Sequence, residues 1–243
     1  MTAWISSPLL TTTGLTVERA GRRLVEGLDL TLFAGQVLAV VGPSGCGKSS
    51  LLATLAGWST PVAGTVRVAS KHLPAVALLP QDLGLAAART ALANAASGAL
   101  PRRPFWRHPW GPITADRADA LELLTRLGIG SRAHVMVRRL SGGERQRCAV
   151  ARTILARPSV LLFDEPVSQL DDASGRSTLA LIREQSVQHG ALVITALHQR
   201  HLVEGFADLV LESVTTASQP TCVWQLSAVP SAKMHEMTSA TWT

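Results

Sequence analysis

Residues 36–49 read QVLAVVGPSGCGKS. The apolar run ends at Gly42, and Gly42–Ser49 then fits G-x-x-x-x-G-K-[ST]. SSLLATLAG follows, a helical pattern predicted to start near Lys48 and to stop at Gly57 and Pro61. A strand, a glycine-rich loop and a helix in that order are the context a phosphate-binding loop requires, which sets it apart from a chance glycine turn. Gly42, Gly45 and Gly47 let the backbone aim its N–H groups at a polyphosphate. Pro43, Ser44, Cys46 and Ser50 complete the cradle, with Cys46 read as a small filler. The helix N-terminus adds positive partial charge. Lys48 is placed to reach the outer phosphates and Ser49 to offer a hydroxyl to Mg²⁺.

The rest of the chain is consistent with one large domain. It has 243 residues, 47% of them hydrophobic and only 16% charged, which favours a packed core over disorder. The formal net charge of +6 suits nucleic acid, an anionic ligand or a membrane surface, and an ordinary basic surface equally well. The apolar runs at 36–42, 159–163 and 191–197 are all far shorter than a membrane span. MTAWISSPLL has no basic region of the kind that opens a secretory signal. Cys46, Cys148 and Cys222 lie far apart without CxxC spacing, so neither a metal site nor a disulfide framework is expected, as in a reducing cytosol. No internal repeat is present.

Residues 12–41 read as strands: the alternating LTVERAGRRL, then DLTLF, then the run before Gly42. GTVRVAS and AVALLP add two more. From Gln81 the composition turns alanine-rich. Helical segments AAARTALANAASGAL and DRADALELLTRLG flank the Trp- and Pro-containing loop 101–114, PRRPFWRHPWGPIT. Thr114 can cap the second helix and Gly128 end it. Leu121, Leu124 and Leu127 suggest an apolar stripe for local core. Apolar strands return at SVLLF and LVIT, with a helix over 173–188 between them. Strand–helix alternation of this kind predicts an α/β fold with a mostly parallel sheet. The expected layout is a single domain over 1–243. Its core spans 1–81 and 146–212, a helical insertion about 82–145, and a loose tail 213–243 in which VWQL at 223–226 is a last short strand.

Two further motifs carry chemistry. VLLFDEP at 160–166 is an apolar strand ending in two carboxylates. Asp164 falls at the strand's carboxyl end, where ligands bind in open parallel sheets, and suits a hold on Mg²⁺. Glu165, one residue on, suits a general base aimed at water. The stretch LSGGERQR at 140–147 opens with Ser141 and Glu144 spaced as a capping box. A capping box has no need of Gly142 and Gly143 inside it. Two bare N–H groups beside a serine hydroxyl are what an anion site offers.

Together, Gly42–Ser49, Gln81, LSGGERQR, FDEP, SQLD at 168–171 and His198 resemble the nucleotide-binding subunit of ATP-binding cassette (ABC) transporters, over about residues 12–212. The resemblance implies a P-loop, RecA-like ATPase core with an N-terminal antiparallel β portion and an inserted helical subdomain. It implies ATP and Mg²⁺ as ligands, hydrolysis of ATP, and head-to-tail pairing with a second ATPase subunit, identical or not. Each nucleotide then lies between the phosphate loop of one subunit and Ser141, Gly142 and Gly143 of the other. By the same resemblance, Gln81 contacts Mg²⁺ or the attacking water, Asp171 touches the partner, and His198 holds the γ-phosphate, whereas His201 is a solvated neighbour. LHQRHLVEGFADLVL at 197–211, read as a helix leading to Ala-Asp, and the loop 101–114 resemble phosphonate-type importers. Transmembrane permease subunits and an extracytoplasmic solute-binding protein would then be partners, and nucleic acid would not. The subunit would sit peripherally on the cytoplasmic face of the inner membrane. One departure stands out. The chain has no Tyr, and the position where the family stacks an aromatic ring on adenine falls near Arg19, with Trp4 the nearest aromatic alternative. A soluble cassette ATPase, or a nucleotide-binding regulator not coupled to transport, are the competing readings.

Overall fold

In a computed structural model, residues 7–70, 74–102, 114–214 and 223–229 are described. LTVERAGRRL does not form one strand. It is split by a tight turn at Ala20 and Gly21, both with positive φ (52° and 77°), into β1 (Leu10–Arg19) and β2 (Arg22–Leu32). A two-residue turn of that hand matches the twist of an antiparallel pair. β1 lies between β2 and β4 (Ala63–Val68) in a three-stranded antiparallel sheet.

The main sheet has six strands. Besides β3 (Val37–Val41) it contains β5 (Val76–Leu79), β6 (Val160–Asp164), β7 (Leu192–Leu197), β8 (Leu209–Val214) and β9 (Val223–Ala228), in the order β5-β6-β7-β3-β8-β9. All neighbours are parallel except β8 and β9. Every residue of β3, β6 and β7 is buried, because the sheet is covered on both faces. Val37, Ala39, Leu161, Phe163 and Val193 face the helical side. Leu38, Val40, Val160, Leu162, Leu192 and Ile194 face the antiparallel sheet and α1 (Lys48–Leu55). Of the tail expected to be loose, Ser213 and Val214 end β8 and Val223–Ala228 form β9 at the edge of the main sheet, with the Trp224 indole N–H donating to Leu24 O on β2 (2.8 Å); residues 215–222 and 230–243 lie outside the described residues.

Between β5 and β6 lie α2 (Ala91–Ser97), α3 (Thr114–Arg126) and α4 (Gly142–Leu155). The alanines at 86–88 stay outside α2. Asn94 accepts from Ala86 N (2.8 Å) and donates to Ala86 O (3.1 Å), holding that segment in a turn, and Thr90 caps the helix instead. Thr114 is the first helical residue of α3. Gly128, with φ 71°, ends it as expected. Ala120, Leu124 and Leu127 reach the core, but Leu121 is 41% exposed. The loop residues 103–113, Trp4 and Cys222 lie outside the described residues. After β6, α5 (Asp172–His189) returns the chain to β7. Residues 198–208 hold a short 3₁₀ turn, Arg200–Leu202, where a helix was expected. Among the described residues no helix is long and apolar enough to cross a membrane.

Candidate active site

Because β3, β5, β6 and β7 run parallel, their carboxyl ends open on one side of the sheet. Each end delivers one predicted element: the phosphate loop from β3, Gln81 from β5, Asp164 and Glu165 from β6, and His198 from β7. A cavity of about 430 Å³ forms there. It is lined by Ser44, Gly45, Gly47, Lys48, Ser49, Ser50, Gln81, Glu165 and His198, together with Arg19, Ala20, Arg22 and Leu24 from the β1–β2 hairpin. Five segments distant in sequence are therefore brought together.

Gly47 sits at φ 109°, and a Cβ there would stand 2.7 Å from Leu24 Cβ. Only glycine fits between the loop and β2. Gly47 is also the N-cap of α1, and no side chain caps this helix. The caps of α2, α4 and α5 are filled by Thr90, Ser141 and Asp171. The free N–H groups of α1 thus face the cavity, a suitable seat for phosphate. Lys48 is 5% exposed, and its Nζ donates to Gly42 O (2.8 Å) and Pro43 O (3.1 Å). Cys46 is buried, its thiol turned toward Gly42 rather than the cavity.

Asp164 is buried below Ser49, and its Oδ1 has no hydrogen-bond partner among the described residues. Burial raises its pKa above the ordinary carboxylate range. The Ser49 hydroxyl and the Lys48 charge oppose that shift, and the Glu165 charge adds to it. An orphaned carboxylate oxygen beside a serine hydroxyl and a phosphate seat fits a hard divalent cation such as Mg²⁺. Glu165 adopts φ 54°, rare for a residue with a side chain. Its Oε1 pairs with His198 Nε2. A carboxylate only accepts, so this contact places the imidazole proton on Nε2. His201 is exposed on the 3₁₀ turn and is not among the residues lining the cavity.

Ser141, Gly142 and Gly143 are not among the residues lining the cavity. They open α4, with the capping box complete: Ser141 Oγ accepts from Glu144 N (3.2 Å) and Glu144 Oε2 accepts from Ser141 N (2.8 Å). This bond, with Arg132 nearby, holds the Glu144 carboxyl below its ordinary pKa. Gly143 also has a reason within the chain, and at Gly142 a Cβ would meet only the end of the Gln169 side chain. A Cβ on Gly142 would stand 2.1 Å from Gln169 Oε1, and one on Gly143 3.1 Å from Gln169 O. Asp171 likewise has an in-chain role, capping α5 by accepting from Ser174 N (3.0 Å).

Three residues in or against the site were missed in the sequence. Arg22 pairs with Arg19 across the hairpin, so reading the Ala20-Gly21 turn correctly would have found it. Arg152 donates to Leu83 O (2.6 Å) and Gly84 O, fixing the loop after Gln81, where Leu83 has φ 63°. Gln146 is buried against the loop after Glu165. Arg152 left no sequence signal, and Gln146 lies within LSGGERQR, where only Ser141, Gly142, Gly143 and Glu144 were given roles. Cys46 and Cys148 are free and buried, and burial pushes the Cys148 thiol up to about 12.

The model of the ABC transporter family matches residues 25–168. The chain belongs to that family. It is similar to a phosphonates import ATP-binding protein of Natronomonas pharaonis, 37% identical over 84% of this chain and 88% of that one. A hemin import ATP-binding protein of Gloeobacter violaceus is 40% identical over 82% of this chain and 76% of its own. Among solved structures, a dimeric ATP-binding cassette in a post-hydrolysis state with ADP and phosphate shares the fold. It has a TM-score of 0.72 at 22% identity and covers 84% of this chain and 93% of that one. The ABC transporter subunit described here is accordingly an ATP-binding, ATP-hydrolysing one, and the cavity at the strand ends is where its phosphate loop lies.

Proposed function

We propose that the cavity binds Mg-ATP and that Glu165 is the general base for its hydrolysis. The observation that supports this most is the convergence of Lys48, Ser49, Gln81, Glu165 and His198 on one cavity. Lys48 and the loop N–H groups take the β- and γ-phosphates. Ser49 and Asp164 hold Mg²⁺, with Gln81 at the cavity edge to bind it or the attacking water. The ion, when bound, offsets charge on the phosphates. Glu165 orients a water in line with the γ-phosphate and accepts its proton, and His198 fixes the carboxylate and reaches the same phosphate.

Ser141, Gly142 and Gly143 act on the nucleotide of a second ATPase subunit, which explains their place outside the cavity of their own chain. The pair docks on transmembrane permease subunits through the helical portion 82–145, peripherally, at the cytoplasmic face of the inner membrane. Import of a phosphonate-like or other small solute, with an extracytoplasmic solute-binding protein, is the reading the import relatives support. Glu165→Gln tests the chemistry. It is expected to retain a fluorescent ATP analogue, accumulate as a nucleotide-bound dimer on size exclusion, and lose about 10²–10⁴-fold in phosphate release, the usual range for a general base. Phosphate release near the wild-type rate would remove Glu165 from that role.

A further inference from the structure

Gln146 lies in the second turn of α4 and is 2% exposed. Its carboxamide is fully engaged by one loop. Nε2 donates to Glu165 O (2.6 Å) and to Ser168 Oγ (3.2 Å), while Oε1 accepts from Gln169 N (2.8 Å). Both amide protons and the oxygen are thereby used, which no other side chain of that size can do. The same loop presses on the start of α4. Gly143 leaves room for the Gln169 carbonyl, and a Cβ there would also stand 2.9 Å from Leu170 Cδ2.

The first two turns of α4 and residues 165–170 are therefore one packed body. Its critical point is Glu165, whose left-handed backbone (φ 54°) is not one that a glutamate adopts unaided. Two backbone bonds help to hold it, Glu165 N to Ala196 O (3.2 Å) and Ser168 N to Glu165 O (3.3 Å). The Gln146 bond to Glu165 O is shorter than either, and it comes from a different element.

We propose that Gln146 is a positioning residue: its three hydrogen bonds set the backbone of Glu165, aim the carboxylate, and tie it to the Ser141–Gly143 turn of the same subunit. The proposal rests on the reading of Glu165 as general base. It follows that whatever the α4 N-terminus of a subunit touches bears on the base in that subunit's own cavity, because the two cannot move apart without breaking the Gln146 bonds.

Gln146→Met keeps the side-chain volume and removes every one of these bonds. The phosphate loop is untouched, so Kd for a fluorescent ATP analogue is expected to stay within twofold of wild type while kcat falls at least tenfold. In a Glu165→Gln background, adding Gln146→Met is expected to lower the residual rate by less than twofold, since the base it positions is already gone. Gln146→Glu retains the acceptor for Gln169 N–H but sets a carboxylate against Glu165 O. It is expected to show the same split between kcat and Kd, and it carries the test if the methionine variant does not fold. A kcat within twofold of wild type in either folded variant overturns the proposal. So does a Kd that rises in step with the loss of kcat, or a full multiplicative loss in the double variant. Wild-type turnover by Glu165→Gln alone is a separate outcome: it overturns the general-base reading, and the positioning role with it.

Discussion

Lys48 and Ser141 belong to different sites if the second glycine turn serves a partner's nucleotide, and mixing variants can show it. Lys48→Ala removes a buried ammonium at the phosphate loop. A hydrogen bond to a charged group contributes about 1.5–3 kcal/mol, and Lys48 on the proposed reading would supply at least one to the phosphates. Ser141→Arg places a long cation at an exposed turn outside the cavity. It also deletes the cap bond to Glu144 N, at about 0.5–2 kcal/mol, a loss that a domain stable by 5–15 kcal/mol tolerates. Each variant alone makes dimers with two broken sites. In an equal mixture about half the dimers are heterodimers, and each has one site with both Lys48 and Ser141 intact and one with neither. With independent sites, the mixture recovers about a quarter of wild-type phosphate release, and each heterodimer traps one nucleotide. For the double variant mixed with wild type the change runs the other way: every heterodimer site lacks one group, so exchange lowers phosphate release from about a half to about a quarter of wild type, all of it from wild-type dimers. Subunit exchange is followed by fluorescence transfer between labelled chains. If exchange is complete and the mixture neither traps nucleotide nor releases phosphate, Ser141 is a helix cap and no more.

Three further outcomes are expected. Asp164 has its pKa raised by burial, so its ionised form opposes folding. Its contribution to stability falls as pH rises from the ordinary carboxylate value through the raised one. Asp164→Asn should therefore melt higher than wild type at neutral pH without Mg²⁺ and lose the added stabilisation by Mg-ATP, both read by thermal melts. On its hairpin side the cavity is lined by Arg19, Ala20, Arg22 and Leu24, and by no aromatic side chain among the described residues. Without the roughly 1–3 kcal/mol of ring stacking, GTP should bind within about tenfold of ATP, and Arg19→Tyr should tighten ATP more than free triphosphate in a competition titration. Asn94→Ala strips Ala86 N and O of their partners near the loop that carries Gln81. It should cost about 1–3 kcal/mol in urea unfolding, because two hydrogen bonds at about 0.5–1.5 kcal/mol each are lost.

The parts of this site that could be read in the sequence are those where local geometry forces composition. The phosphate loop needs glycine where φ is positive and where β2 crowds Gly47, so its spacing carried its meaning. The β-strands at its side are buried on both faces and read as apolar runs. Reading failed where a residue's meaning depends on what folds against it. LTVERAGRRL alternates well enough for a strand, and nothing in its pattern shows that Ala20 takes a positive φ. Leu121 keeps helical spacing with Leu124, yet falls just beyond the edge of the contact.

The α4 motif illustrates both cases. Its two glycines were read as bare N–H groups for an anion, and the structure adds a second demand, the approach of Gln169 and Leu170 within the same chain. The two demands are compatible, because a Cβ would block the loop on one side of the turn while the N–H groups, on the proposed reading, would serve the other. Gln146, three residues on, is an ordinary helix-former in isolation. Only when the chain after β6 is laid beside α4 does its amide meet Glu165, Ser168 and Gln169. A motif of this kind records two surfaces at once, and its polar residues beyond the glycines are the ones to test for how the two are joined.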